Sequence, residues 1–303
     1  CTVNPVGTTP LHMTTLKFYF KPGDIAGRIE ELLATRDDWT IEDLRAVQMD
    51  NMAFAPRVMA PAMVRLARAD KPSLSAHEQE ALKQVDQWNF YNDVDSIGAT
   101  VFNYWFDSLL MAIFGDELTE KQLFMYTSLD DSWIALQDLL RDTDTHWWDD
   151  ITTPDRETAA QIMTRSLGHA CEKLTQDLGE DVTAWRWGDV HRLLFKHPFG
   201  YVPGIGRLLN IGPLASGGAR ETINSMPSKS PHKYDIIAGP STRRLIDFAR
   251  PDQSLTILPT GNSGHVRDPH YDDQAALFAR GEYRTALYNR EEIEAAKEHE
   301  MHI

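Results

Sequence analysis

The run Ser241-Thr242-Arg243-Arg244-Leu245-Ile246-Asp247-Phe248, then Arg250-Pro251-Asp252-Gln253, then Ser254-Leu255-Thr256-Ile257-Leu258, decides the fold class. Its central Pro-Asp pair is turn chemistry, and the flanks are strand formers, so the stretch predicts an antiparallel hairpin. Upstream of it, Gly200 to Gly218 is rich in Gly and Pro and predicts a long irregular loop. Further upstream the pattern is helical. Ala26 to Thr35 sets Ile29, Leu32 and Leu33 on one face. Thr40-Ile41-Glu42-Asp43 resembles a capping box. The helix it opens is expected to run through Leu44, Val47 and Met52 toward Leu66, kinked or split by Pro56 and Pro61. Ser75-Ala76-His77-Glu78 opens another helix, to about Trp88.

Ser96 to Phe114 is apolar on most sides and is expected to be buried, with Gly115 ending it. Glu120–Tyr126, Ser132–Leu140 and Arg156–Leu178 are further helices, the last stopped by Gly179. Beyond the hairpin, Asp273–Arg280 and Arg290–Glu298 close the chain. The layout is α+β. A mainly helical part covers 1–183. A part with the Gly-rich loop, the hairpin of antiparallel strands and the C-terminal helices covers 184–303.

Composition bounds the function. The 303 residues are 42 % hydrophobic and 10 % aromatic, with eight Trp, which is enough for a packed core. A net charge of −15 argues against nucleic acid and against anionic membrane surfaces, which both call for Lys/Arg patches. No stretch approaches ~18 consecutive apolar residues, so no membrane span is expected. Two cysteines, Cys1 and Cys171, do not make a disulfide scaffold or a zinc site. The start, Cys1-Thr2-Val3-Asn4-Pro5, is not Met and has no signal-peptide pattern, so the chain is expected to be processed or cut from something longer.

Four features carry candidate chemistry. Cys1 could serve as an N-terminal nucleophile with its own α-amine as base, since that amine titrates near ~8. Thr2 and Val3 suit the strand such a site needs, but Pro5 and Gly7 break it. His265, Asp268, His270, Asp272 and Asp273 are metal-ligand residue types, yet they sit in a loop with Gly264 and Pro269, and ion pairs and caps account for them more simply. Gly204-Ile205-Gly206 is a lone Gly-x-Gly without a preceding strand. Trp185-Arg186-Trp187-Gly188, followed by His191 and His197-Pro198, is a packing block; in a strand its two Trp would face opposite ways.

Two blocks resemble the penicillin acylase (penicillin amidase) family of N-terminal-nucleophile hydrolases. The stronger runs from Gly239-Pro240-Ser241 and Arg243-Arg244-Leu245-Ile246-Asp247 to Leu258-Pro259-Thr260-Gly261-Asn262-Ser263-Gly264. It ends in His270-Tyr271-Asp272-Asp273-Gln274 and Gly281-Glu282-Tyr283-Arg284. Trp185 to His191 with His197-Pro198, and Arg220–Asn224 as a strand after the Gly-rich loop, are similar to the same family. The second block is Gly27-Arg28-Ile29-Glu30-Glu31-Leu32-Leu33, Trp39-Thr40-Ile41-Glu42-Asp43 and Gln48-Met49-Asp50. From about Asp70 to Thr183 only the helical character matches.

The resemblance implies a partial αββα sandwich, the C-terminal portion (1–303) of a β-chain released when a precursor zymogen cuts itself. It implies amide hydrolysis through an acyl-enzyme on an N-terminal nucleophile lying upstream of Cys1, so this chain alone is expected to be inactive. Asn4 is the position it offers for the oxyanion group. The family's helix-opening Arg is not matched, and Ile25 stands there. The implied substrate is a small-molecule amide: a β-lactam side-chain amide, as in antibiotic metabolism, an N-acyl homoserine lactone or another acylated amine. No cofactor is implied for catalysis; a structural calcium is implied for the parent protein, with no ligand mapped onto this chain. The implied partners are the missing part of the β-chain and the α-chain, and the implied location is periplasmic or secreted. A lone portion would leave sheet edges and apolar faces uncovered, so it is expected to pair with the missing part or form a homo-oligomer. Two alternatives stay open: a non-catalytic scaffold or binding domain derived from the family, and an autonomous Cys1 amidase.

Overall fold

The computed structural model describes residues 24–70, 73–127, 131–202, 204–229, 231, 233–298 and 300. Its first half consists of helices α1 (Asp24–Leu33), α2 (Ile41–Gln48), α3 (Phe54–Ala69), α4 (Ala76–Asp86), α5 (Ile97–Phe114), α6 (Glu120–Thr127), α7 (Asp131–Arg141) and α8 (Ala159–Leu178). Side-chain caps set several of the starts. Thr40 and Ser75 form the expected capping boxes with Asp43 and Glu78, and Thr158 forms another with Gln161. Because Thr158 is a cap, α8 begins at Ala159 and not at Arg156. Ser96 caps α5 by accepting from the Ala99 N–H.

Two helix ends differ from expectation. The helix opened by Thr40 does not run on to Leu66; it stops at Gln48. Asp50 and Asn51 leave the helix because their side chains and carbonyls are claimed by distant partners, described below. Pro56 then falls in the first turn of α3, where its missing N–H costs little, and Pro61 is carried inside α3 without splitting it. Gly115 does cap α5, but with a right-handed φ of −74°, so left-handed freedom is not what it supplies there. Gly179 stops α8 with φ +91°.

Helix α5 is the core of the helical body. By length and composition it could cross a membrane, but 78 % of it is buried inside the protein, which is how a core helix behaves. It packs against α8, α4 and the 146–148 turn. Trp105 is fully buried, and its indole N–H donates to Ser166 Oγ (3.0 Å) and the Met163 carbonyl (3.2 Å) on α8. Phe106 stacks on Trp133 of α7 at 4.0 Å.

The second half adds α9 (Trp187–Val190), β1 (Arg192–Phe195), α10 (Gly206–Leu209), β2 (Ile211–Ala215), β3 (Ser228–Lys229), β4 (Lys233–Ile236), β5 (Arg243–Leu245), β6 (Leu255–Ile257), α11 (Ala275–Ala279), β7 (Arg284–Thr285) and α12 (Arg290–Ala295). One sheet has the order β2-β1-β4-β3, with β1 antiparallel to β2 and parallel to β4. The other is β5-β6-β7. The expected hairpin is present: Arg244 faces Thr256 across the antiparallel β5–β6 pair. A small second core of Leu193, Met226, Ile236, Ile257 and Phe278 lies where strands of both sheets meet α11. The architecture is α+β, as expected.

Three expectations are corrected here. Gly200 to Gly218 is not irregular throughout, because it contains α10 and β2, whose Leu214 pairs with Leu193. Arg220–Asn224 is a turn bounded by an Ala219–Ser225 bridge and not a strand, its backbone held by the Thr222 hydroxyl. Trp185 and Trp187 do not point to opposite sides of a strand. Both are buried around the start of α9, donating to the carbonyls of Gly179 (2.8 Å) and Gly218 (3.0 Å).

Candidate functional site

The end of α2 and the turn after β2 meet in a buried polar junction. Asp50 Oδ2 accepts from Arg28 Nη2 (2.8 Å) and Oδ1 from Arg28 Nε (3.1 Å) and the Met52 N–H (3.1 Å). Arg28 also donates to the Tyr91 hydroxyl (3.0 Å). At 7 % and 9 % exposure, Arg28 and Asp50 are a buried bidentate pair, and the hydrogen bond to Asp50 raises the Arg28 pKa. Next in sequence, Asn51 donates to Asp93 (2.8 Å) and accepts from Asn224 Nδ2 (3.0 Å). The Asn224 backbone N–H donates to the Asp50 carbonyl (3.0 Å), and its Oδ1 accepts from Arg243 Nη2 (3.0 Å).

Arg243, on β5, is 2 % exposed. Its other hydrogen bond goes to the Phe278 carbonyl (2.7 Å), and its guanidinium lies 3.9 Å from the Phe278 ring centroid. Burial among neutral partners pulls its pKa down to about 10. His191 is fully buried, stacked on Trp187 at 4.6 Å, with Nδ1 facing the Ser216 carbonyl (2.8 Å) and Nε2 the Met226 carbonyl (2.9 Å). Burial lowers its pKa. With both ring nitrogens turned to backbone, it does not face a substrate space as a general base would.

Gly218 is the backbone hinge of this junction. Its N–H donates to the Asn92 carbonyl (2.9 Å) and its carbonyl accepts from Trp187. Its φ is +87°, and a Cβ there would lie 2.2 Å from the Asn224 carbonyl oxygen. Gly218→Ala is expected to lower stability by roughly 2 kcal/mol or more in urea unfolding. An unchanged urea midpoint would show that the turn tolerates a side chain.

The junction fixes the backbone geometry between α2 and the turn after β2. Among the described residues Cys171 is the free cysteine, and burial pushes its thiol up to about 12, far from a working nucleophile. It lines an open cleft of about 360 Å³ between α4 and α8 with Ser75, His77, Glu78 and Thr175. His77 there is tied to the Glu180 carbonyl (3.1 Å), and Glu78 is tied to its cap. A second cleft, about 40 Å³, is walled by Phe106, Trp133 and Trp187 and holds the Tyr234 hydroxyl donating to Asp107 (2.7 Å). Burial raises the Tyr234 pKa well above its ordinary value.

The other predicted residues are spread out. Asn4 and Cys1 lie outside the described residues. His270 pairs with Asp273 (3.1 Å) and Glu298 (3.2 Å), Asp273 with Arg284 (3.3 Å), and Asp268 accepts from the His270 N–H (2.8 Å). His265 accepts from the Arg267 N–H (3.3 Å), and the Asp272 carbonyl accepts from the Ala275 N–H (3.0 Å). These are the caps and ion pairs expected for the loop. Among the described residues no group of three or more His, Cys, Asp or Glu side chains is arranged to hold a metal ion. Gly206 of the Gly-x-Gly begins the four-residue α10, and Gly204 makes a φ +85° turn before it.

A family model described as penicillin amidase matches residues 4–295. The chain belongs to the penicillin amidase family. Over 246 residues it is 29 % identical to the acyl-homoserine lactone acylase QuiP of Pseudomonas fluorescens, covering 78 % of this chain and 29 % of that protein. It is 24 % identical over 274 residues to the penicillin acylase 2 proenzyme of Pseudomonas sp. strain SE83, covering 89 % of this chain and 34 % of the relative. This penicillin amidase chain thus spans about a third of the length of those relatives. Among solved structures it is similar to the thermostable penicillin G acylase of Alcaligenes faecalis, with a TM-score of 0.50 and 17 % identity over 91 % of this chain and 52 % of the other, which shows a shared fold.

The sequence reading missed the junction, although its quoted blocks contained the parts. Asp50 closes the Gln48-Met49-Asp50 match, Asn224 ends Arg220–Asn224, and Arg243 lies within the C-terminal block. The signal available was the Gly217-Gly218 pair just before the Arg220–Asn224 block. What no local pattern carries is their meeting, since Asn51 and Asn224 are 173 residues apart.

Proposed function

We propose that this chain is the C-terminal portion of the β-chain of an N-terminal-nucleophile amide hydrolase. The nucleophile lies in an upstream part of the parent protein, and an N-acyl amide is the substrate. Relatives named as acyl-homoserine lactone acylases support an acylated homoserine lactone as that amide, with a penicillin-type amide as the other candidate. In this reading the upstream nucleophile attacks the amide carbonyl, Asn4 donates to the oxyanion, and water clears the acyl-enzyme. The described residues supply the helical body and the polar junction that locks α1, the first described element after Asn4, to the sheets. The parent is a zymogen and is exported to the periplasm or beyond.

The observation that carries the partner side of this reading is an uncovered apolar excursion. Phe199, Tyr201 and Leu208 are 66 %, 75 % and 78 % exposed on the segment between β1 and β2, and Phe248 is 91 % exposed after β5. Covering them is the role proposed for the upstream part of the β-chain and the α-chain.

Intact mass and N-terminal sequencing of the protein from its native host test the reading. A β-chain starting well upstream of Cys1, with a separate α-chain, is the expected result, and a native chain beginning at Cys1 overturns it. In the complete enzyme, Asn4→Ala is expected to lower kcat by ~10²–10³ on an acylated homoserine lactone with KM little changed. An effect below tenfold removes Asn4 from the oxyanion site.

A further inference from the structure

Where α5 runs out, Asp116 and Glu117 are successive residues of the link to α6, and their carboxyl groups lie within hydrogen-bonding reach of each other. Asp116 Oδ2 accepts from the Ile151 N–H (2.8 Å), which fastens this link to the segment following the 146–148 turn. The other Asp116 oxygen, Oδ1, and Glu117 Oε2 are both buried, and among the described residues no donor reaches either of them. Two buried, adjacent acceptors without a donor are an unfavourable arrangement if both groups are charged.

The surrounding charges do not relieve it. Along the chain the next charged groups are Glu120 and Lys121 on α6, and the segment fastened through Ile151 carries His146, Asp149, Asp150 and Glu157. The nearby cation on α8, Arg165, is engaged by Asp150 (3.0 Å) and Glu157 (3.4 Å). Asp150 adds a further negative charge that acts on Glu117.

We propose that Asp116 and Glu117 share one proton, forming a pH-sensitive latch that pins the α5–α6 link onto the Ile151 segment. The proton resides on Glu117 and is donated to Asp116, so each orphaned oxygen gains a partner. When it leaves, two carboxylates face each other and Glu117 turns out to solvent. Burial first, and the neighbouring Asp116 second, push Glu117 up from its ordinary 4.5 to about 7, in keeping with this arrangement. A carboxyl raised in the folded state contributes stability that is complete below about pH 4.5, declines as pH rises and is gone above about pH 7. Across that window the folded-to-unfolded ratio falls by up to about tenfold per pH unit, less where solvent screens the pair. The latch would thus loosen the Ile151 edge as an acidic medium turns neutral, and it does so whatever reaction the parent catalyses.

Carbon-detected NMR titration of the carboxyl groups in the whole chain tests this. One carboxyl titrating near pH 7, absent in Glu117→Gln, is expected. Melting of the wild type should fall more steeply between about pH 5 and about pH 7 than melting of Glu117→Gln, whose amide donates to Asp116 without titrating. Asp116→Asn should flatten the same window, which guards against a folding defect in either single variant. If no carboxyl titrates above about pH 5.5, or the three melting curves run parallel, the latch is overturned. It is equally overturned if millimolar calcium raises the wild-type melting temperature at alkaline pH and Glu117→Gln abolishes that rise, because a cation then bridges the two oxygens.

Discussion

Asp50→Ala is expected to destabilise the chain by about 3–5 kcal/mol in urea unfolding. The substitution removes the bidentate partner of Arg28 and leaves a guanidinium at 7 % exposure whose remaining partners among the described residues are the Tyr91 hydroxyl and the partly exposed Glu31. Most of the loss is the cost of an uncompensated buried charge and not the strength of the pair itself. The same change frees the Met52 N–H that fixes the break between α2 and α3. The double variant Arg28→Met/Asp50→Leu tests this account, because it removes both charges while keeping volume. It should lie closer to wild type than either single variant, giving a large positive coupling in the mutant cycle. A loss below about 1 kcal/mol for Asp50→Ala would place the pair in solvent, against the burial seen here.

Trp105→Ala carries an effect of similar size, about 3–5 kcal/mol, by a different route. Trp105 sits at zero exposure between α5 and α8. Deleting the indole opens a cavity at the centre of the helical body and strips a hydrogen bond from Ser166. Trp105→Phe should recover a large part of the loss, since it refills most of the volume and forfeits mainly the indole N–H contacts. If Phe were no better than Ala, the hydrogen bonds to Ser166 and Met163 would outweigh the packing. Thermal melting of the three proteins decides between the two.

Much of the helical body was legible in the sequence because its signals are local. Thr40 with Asp43 and Ser75 with Glu78 are capping boxes spaced three residues apart, and the apolar run from Ile97 to Phe114 declares its own burial. The β5–β6 hairpin was readable for the same reason, with Pro251 and Asp252 between two strand formers. The misreadings share a different cause. Asp50 ends α2 through partners at Arg28 and Asn224, β2 exists because β1 lies beside it, and Trp187 is turned inward by a carbonyl at Gly218. Each depends on a residue far off in sequence, so periodicity and propensity could not supply it. The candidate site was the least legible part, because Asn224 and Arg243 contribute through one another and not through a motif.

The contact between Asn51 and Asn224 also bears on the order of folding. Helix pairs such as α4 with α5 join elements close in sequence, so they can condense early, as can the β5–β6 hairpin. Closing a loop of 173 residues to pair two asparagines loses more chain entropy and is favoured only once both sides have formed. The junction is therefore expected to close late, as the clasp through which the helical half and the strand half unfold in one transition and not in two.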